Sequence, residues 1–331
     1  MALHGVQFAF CEFVCYHFKN MPPDDSRELH CVTGAFGFSG RYIARRLLDA
    51  NLRVRTLTRA PQSASPFGEA VEVRPLDFEP LRLAENLRGV AVLYNTYWVR
   101  YNRPEFSRAG AFQNTVALFQ AARNAGVRRV VHVSIANPSE DSPFEYFRCK
   151  ALMERALRES GLGYAILRPA VLFGPDDILI NNIAWMLRHF PVFGVFAGGN
   201  YRIDPIFVDD LAKLAVEQGL SSQNATLDAV GPESFTYREL ARTLGEIIGK
   251  PRPVVSIPPG LGLLLAGIMG FFVRDVILTR DEIDGLTAGL LHVDTPPTGA
   301  TRLSEWAKAH ASELGKRYHS ELARRKGRRQ V

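Results

Sequence analysis

The chain has 331 residues, of which 47% are hydrophobic and 22% are charged, and its formal net charge at pH 7 is +6. This length accommodates one large core, or a core domain with a smaller lobe, and the composition excludes a disordered or fibrous protein. Residues 316–331 carry seven basic side chains and one acid, so this tail supplies the whole net charge. The rest of the chain is therefore neutral, which argues against a nucleic-acid-binding surface on it.

The first 20 residues are apolar and aromatic, but they lack the basic start of a signal peptide. Met21, followed by Pro22 and Pro23, resembles a more natural start. We therefore expect residues 1–28 to form an N-terminal extension outside the fold.

Cysteine is sparse, with four in the whole chain, which is typical of a cytoplasmic protein without a disulfide framework. Cys11, Cys15 and His17 resemble part of a zinc site, but no fourth ligand follows at a usual spacing. No metal site is predicted.

A glycine-rich run, residues 33–40, follows an apolar stretch at 29–32 and precedes a helical pattern from Tyr42. Glycines spaced by three let the backbone turn tightly and approach a pyrophosphate, while the helix N-terminus presents free N–H groups to the phosphates. The run therefore predicts a dinucleotide-binding turn, with cofactor contacts from Gly34, Phe36, Gly37, Phe38 and Gly40.

Strand and helix patterns alternate through the first half of the chain. Five further strands are predicted at residues 54–58, 71–73, 90–94, 130–134 and 164–167, and a helix at 106–125. Buried strands separated by helices predict a Rossmann-type doubly wound parallel sheet of the α/β class, with a smaller C-terminal α/β lobe. We assign the nucleotide-binding domain to residues 29–170, a mixed region that includes the lobe to 171–315, and a basic tail to 316–331.

Capping-box patterns at Ser142, Thr236 and Thr279 predict the starts of three helices. In the mixed region, residues 206–208 and 227–230 are expected to return to the main sheet as strands. The apolar run at 260–273 is shorter than the roughly 20 residues that span a bilayer. A buried helix is the expectation there, and contact with a membrane surface is the alternative.

The second predicted strand ends in Arg59 rather than in the acid that would bind the adenosine ribose of NAD. Since a guanidinium can bind a 2′-phosphate through paired donors, we expect NADP, with NAD as the alternative. Asp77 and Phe78 follow the third strand and are candidates for an edge hydrogen bond and a packing surface for adenine.

Tyr146 and Lys150 are one helical turn apart, so they share a face. A neighbouring ammonium is expected to lower the pKa of the phenol towards the operating range of an acid–base catalyst. Ser134, at the end of the fifth strand, is the candidate for polarising a substrate carbonyl, and Lys150 also for holding the nicotinamide ribose.

Together these motifs resemble the atypical or extended short-chain dehydrogenase/reductases of the epimerase/dehydratase superfamily. Within them, residues 132–134, 146–150, 173–177 and 205–210 are similar to the NmrA-like branch and to the NADPH-binding accessory subunit of respiratory complex I. The resemblance implies a Rossmann domain, bound NADP(H), a lobe over the nicotinamide, and cofactor contacts from Asn95 and Pro169.

Two functions follow. The first is an NADP(H)-dependent oxidoreductase or epimerase-like enzyme with Tyr146 as acid–base. Its small-molecule substrate is not identified by the sequence, and an apolar compound is one option. The alternative is a non-catalytic NADPH-binding protein that stabilises a membrane complex or senses redox state. We expect a cytoplasmic location, with contact to a membrane or a membrane complex through the basic tail, and no nucleic-acid partner.

Overall fold

The computed structural model describes residues 27–59 and 65–325. The expected extension up to residue 26, with Cys11, Cys15 and His17, and the last six residues of the tail lie outside the described residues. Thirteen strands are described, namely β1 Leu29–Thr33, β2 Arg53–Thr58, β3 Val71–Pro75, β4 Val90–Asn95, β5 Arg129–Val133, β6 Gly163–Pro169, β7 Val171–Phe173, β8 Phe193–Val195, β9 Arg202–Ile203, β10 Pro205–Phe207, β11 Ala225–Ala229, β12 Phe235–Thr236 and β13 Val254–Ser256.

Eleven α-helices connect and cover these strands within the described residues. They are α1 Phe38–Asp49, α2 Pro80–Asn86, α3 Arg108–Asn124, α4 Glu145–Glu159, α5 Leu179–His189, α6 Val208–Leu220, α7 Tyr237–Ile247, α8 Pro259–Val273, α9 Arg280–Thr287, α10 Leu303–Ala309 and α11 Glu321–Arg325.

The main sheet has seven parallel strands in the order β11-β6-β5-β4-β1-β2-β3. Alternate residues along its strands point to opposite faces: Val32 packs with α1 and α6, and Cys31 with α2, α3 and α4. Both faces are thus covered by helices, as near-continuous apolar strands require, and the predicted Rossmann-type α/β fold is confirmed.

The order in which strands are added to the sheet reverses between β1 and β4, which are adjacent and parallel although they are not consecutive in sequence. Loops diverge at such a point and leave a crevice at the carboxyl ends of the two strands, where doubly wound folds bind their ligands. Thr33 ends β1 and Asn95 ends β4, and the Thr33 Oγ1 hydroxyl donates to Asn95 Oδ1 over 3.1 Å.

The returning strands follow the prediction only in part. Residues 225–229 form β11, the sheet edge beside β6, as expected. Residues 205–207 instead pair with β7 in a separate two-stranded sheet, and Val208 already begins α6. The smaller lobe has its own core, which α5, α7 and α10 build with side chains such as Ile183, Leu244 and Trp306.

The capping boxes at Thr236 and Thr279 are both present, with reciprocal side-chain and backbone hydrogen bonds. The one at Ser142 is absent. Its hydroxyl accepts from the Phe144 N–H, and α4 begins at Glu145 with no side-chain cap at Phe144. Ser142 therefore closes a short turn before the helix rather than capping it.

Candidate functional site

The glycine-rich turn has the geometry that a diphosphate requires. Gly34 has φ +72°, and a Cβ on Gly40 would lie 2.3 Å from the Gly34 carbonyl oxygen. The turn between β1 and α1 therefore requires glycine at both positions. Gly37 precedes α1 without a side-chain cap, and the first helical turn holds no acid. Its N–H groups therefore suit the phosphates of a dinucleotide.

The predicted adenosine residues assemble in one groove. Arg59, Asp77 and Phe78 line a shallow cavity at the carboxyl ends of β2 and β3. The Arg59 guanidinium lies 5.5 Å from the centre of the Tyr97 ring, which packs against Phe78 at 5.1 Å. The hydrogen bond from the Glu79 N–H lowers the pKa of the Asp77 carboxyl, which therefore stays an acceptor at neutral pH.

Asn95 is fully buried, and its side chain is held by the protein itself. Its Oδ1 also accepts from the Tyr97 N–H, and its Nδ2 lies 3.0 Å from His132 Nδ1. The carboxamide thus fixes the loop after β4 and places Tyr97 beside Arg59. Pro169 ends β6, and its carbonyl accepts from the Ala136 N–H.

Ser134 is held by a buried carboxylate. The Ser134 hydroxyl, which is 4% exposed, donates to Glu154 over 2.6 Å. The Glu154 carboxylate also accepts from Arg158 and Arg168, so it is a buried ion-pair centre behind β5. In this structure the Ser134 hydroxyl therefore has a structural partner, and its contact with a substrate stays a prediction.

Lys150 also makes its contacts within the protein. It is buried, and its ammonium donates to the Val133 carbonyl and lies 4.4 Å from the centre of the Trp98 ring. Burial lowers the pKa of Lys150 to about 7. Such a lysine is partly neutral at physiological pH, which weakens its effect on any neighbouring group.

Tyr146 packs against the same indole, with the two rings perpendicular and their centres 5.3 Å apart. Burial, together with the nearby Glu282 carboxylate, raises the pKa of its phenol to about 12, although Arg108 and Arg100 act to lower it. The expectation that the phenol pKa moves towards neutrality is not met in this structure, because burial outweighs the cations.

A cavity of about 950 Å³ joins the turn to the phenol. Phe38 of the glycine-rich turn and Tyr146 of α4 both line it, and most of its remaining wall is apolar, from α5, α8 and α9. Its size and lining are those of a site for a small apolar molecule.

Two ion pairs hold α9 over this cavity. Arg108, only 3% exposed, donates to Asp281, and Arg100 donates to Glu282. Arg100 lies in the loop before α3 and Arg108 is the first residue of α3, so both are far from α9 in sequence. No local sequence pattern therefore predicts these contacts. The sequence reasoning did not find Arg100, Arg108 or Glu154.

A family model described as NAD(P)H-binding matches residues 34–180. The chain is also 32% identical over 260 residues to sterol demethylase protein B of Methylococcus capsulatus, which covers 70% of this chain and 77% of that protein. The chain belongs to the NAD(P)H-binding family of short-chain dehydrogenase/reductase-like proteins.

The family also contains a respiratory-complex subunit. The chain is 27% identical over 285 residues to the mitochondrial NADH dehydrogenase [ubiquinone] 1 alpha subcomplex subunit 9 of Arabidopsis thaliana. The match covers 80% of this chain and 70% of that protein. The NADP(H) complex of the triphenylmethane reductase from Citrobacter sp. shares the fold, with a TM-score of 0.70 at 22% identity over 85% of this chain and 99% of that one.

Proposed function

We propose that the protein is an NADP(H)-dependent oxidoreductase acting on a small apolar carbonyl or hydroxyl compound. The observation that carries the proposal is the shared cavity, because the glycine-rich turn and the Tyr146 phenol border the same apolar space. When bound, the nicotinamide supplies a hydride acceptor or donor. Sterol demethylase protein B is a relative whose name denotes an apolar substrate.

In this proposal the predicted site residues have the following tasks. Backbone N–H groups of Gly34 to Gly40 hold the diphosphate, and Arg59 binds the 2′-phosphate that distinguishes NADP from NAD. Tyr146 gives or takes the proton at the substrate oxygen. Lys150 binds the nicotinamide ribose and, once that ribose is bound, favours the phenolate.

Turnover with Tyr146→Phe tests the proposal. Purified protein is given NADPH with a panel of apolar ketones, aldehydes and quinones, and cofactor oxidation is followed by absorbance. We expect the variant to lower kcat by about 100-fold or more while NADPH affinity is unchanged. Tyr164→Phe, on β6 and outside the lining of the cavity, is the matched control. Full activity in Tyr146→Phe would exclude the phenol as the acid–base group.

A second function has its own support. The Ser134 hydroxyl donates to Glu154, and the Trp98 indole contacts both Lys150 and Tyr146, so each of the three predicted catalytic side chains already has a partner within the protein. The Arabidopsis relative is named as a subunit of a respiratory complex. A protein that holds NADPH without turning it over fits these observations. Tight NADPH retention with no oxidation of any panel member would favour it.

We also propose a cytoplasmic protein that contacts a membrane peripherally through its basic tail. Within the part of the chain that the structure describes, no helix has the length and apolar character needed to cross a membrane. The tail is not solvated throughout, however, since Tyr318 and Ser320 are buried against the smaller lobe. Deleting all of residues 316–331 would therefore remove packed side chains, and charge reversal at Arg328 and Arg329 is the cleaner test.

A further inference from the structure

Helix α8 is apolar along its whole length, yet most of its surface is exposed. Its 15 residues, Pro259–Val273, contain no charged or hydrogen-bonding side chain. Phe271 is 81% exposed, Phe272 77% and Leu264 60%, and only Gly262 and Gly270 are buried. The expectation of a buried helix at 260–273 is therefore wrong.

Two glycines seat this helix on the protein. A Cβ on Gly262 would lie 2.2 Å from the Phe196 ring, and one on Gly270 would lie 2.6 Å from the Asp275 carbonyl oxygen. The first contact joins the helix to the lobe, and the second lies within the cap that ends the helix. The large side chains Leu261, Leu264, Leu265, Ile268, Phe271 and Phe272 are all exposed.

The patch extends beyond the helix. Phe190, Val192 and Val255 are also exposed large apolar side chains, and they line the same cavity wall as α8. Elsewhere in the described ranges, 27–59 and 65–325, only Leu81 and Leu220 are comparably exposed. An apolar surface concentrated in this way is a contact surface rather than the scatter of an ordinary monomer.

The basic tail leaves the fold beside this patch. Asp275, one residue beyond the αL cap of α8 at Arg274, accepts hydrogen bonds from the N–H groups of Glu321 and Leu322. Its carboxylate also accepts from the Tyr318 hydroxyl. The start of α11, the last described helix, is thereby fixed at the end of α8. Arg324 in this helix donates to the Asp176 carbonyl and lies over the Phe38 ring. Four of the six residues that follow it, 325–330, are basic: Arg325, Lys326, Arg328 and Arg329.

We propose that α8 and the basic tail together form a docking surface for an anionic phospholipid bilayer. The helix would lie in the interface with Leu264, Phe271 and their neighbours among the acyl chains, while the tail binds the headgroups. At about 1.5 Å per residue, α8 is about 22 Å long, too short to span the roughly 30 Å hydrocarbon core. Burial of apolar side chains and attraction between opposite charges both contribute to the free energy of membrane binding. Neither contribution depends on catalytic turnover at the proposed active site.

Sedimentation with vesicles tests the docking surface in the full chain. We expect binding to phosphatidylcholine vesicles that contain phosphatidylglycerol, and binding that weakens as salt is raised. Leu264→Ser with Phe271→Ser should lower the partition coefficient by at least about 10-fold. Neither side chain lines the cavity, so NADPH affinity should stay unchanged. Leu81→Ser, at a side chain 80% exposed on α2, is the matched control and should bind as the wild type does.

Two further measurements separate the bilayer from other occupants. Phe271→Trp should be quenched by lipids brominated on their acyl chains, and Arg328→Glu with Arg329→Glu should reduce binding to anionic but not to neutral vesicles. Wild-type binding by the Leu264→Ser, Phe271→Ser variant would overturn the proposal. So would a stable dimer in sedimentation equilibrium that this variant dissociates, because the patch would then bind a second copy of the chain.

Discussion

Lys150 Nζ lies 4.4 Å from the centre of the Trp98 ring, in the position of a cation on an aromatic face. The same indole meets the Tyr146 ring edge-on. The lysine and the tyrosine, one helical turn apart on α4, therefore share an aromatic neighbour. In this arrangement burial sets the pKa values of both groups, lowering that of Lys150 to about 7 and raising that of Tyr146 to about 12.

The buried lysine predicts a pH dependence of stability. Its pKa in the folded state is lowered from the ordinary value of 10.5 to about 7, so between these values the unfolded chain binds more protons than the folded one. The free energy of unfolding should therefore rise with pH across this window. Relative to Lys150→Met, the wild type should gain on the order of 3 kcal/mol between pH 7 and 10.

Urea unfolding of both proteins at each pH measures that difference, and groups common to both cancel. Lys308→Met, an exposed lysine on α10, supplies the control and should show no change of slope. A wild-type and Lys150→Met difference that stays constant with pH would mean that the ammonium keeps its charge in the folded protein.

Ser134→Ala separates a structural serine from a substrate-binding one. Its hydroxyl donates to the buried Glu154 carboxylate, so its removal should cost about 1 kcal/mol of unfolding free energy and leave turnover and NADPH affinity unchanged. Glu154→Leu should cost more, about 3 kcal/mol, since it leaves Arg168 without its carboxylate. A large loss of kcat in Ser134→Ala at unchanged stability would restore the serine to the substrate site.

Gly40→Ala should abolish cofactor binding. The added Cβ would lie 2.3 Å from the Gly34 carbonyl oxygen and 2.8 Å from its carbon, so the phosphate-binding turn must move. We expect NADPH affinity to fall at least about 100-fold, measured by calorimetry. Gly260→Ala is the matched control, because it also lies in the first turn of a helix but has no atom within 4 Å of the new Cβ.

Arg59→Ala tests the choice between NADP and NAD. We expect NADPH affinity to fall at least about 10-fold and NADH affinity to change little, since only NADPH carries the 2′-phosphate. Arg45→Ala, an exposed arginine on α1, controls for the loss of one positive charge. Equal losses for both nucleotides would indicate that Arg59 acts through its contact with Tyr97 instead.

Signals within a short stretch of sequence were sufficient for much of the fold. The glycine spacing of residues 34–40, the apolar strands and the caps at Thr236 and Thr279 each depend on neighbours a few residues away. The predicted cap at Ser142 is absent because its hydroxyl accepts from the Phe144 N–H, in the turn before α4.

The sequence by itself determined the parallel sheet, the dinucleotide-binding turn and the separation of Tyr146 from Lys150 by one helical turn. Only the tertiary structure decided what those side chains contact. The Ser134 hydroxyl donates to Glu154, which is 20 residues away in the chain. The Lys150 ammonium lies over the ring of Trp98, which is 52 residues away. It also decided that the apolar run at 260–273 lies on the surface, because hydrophobicity says that a segment avoids water but not whether protein or another apolar phase covers it.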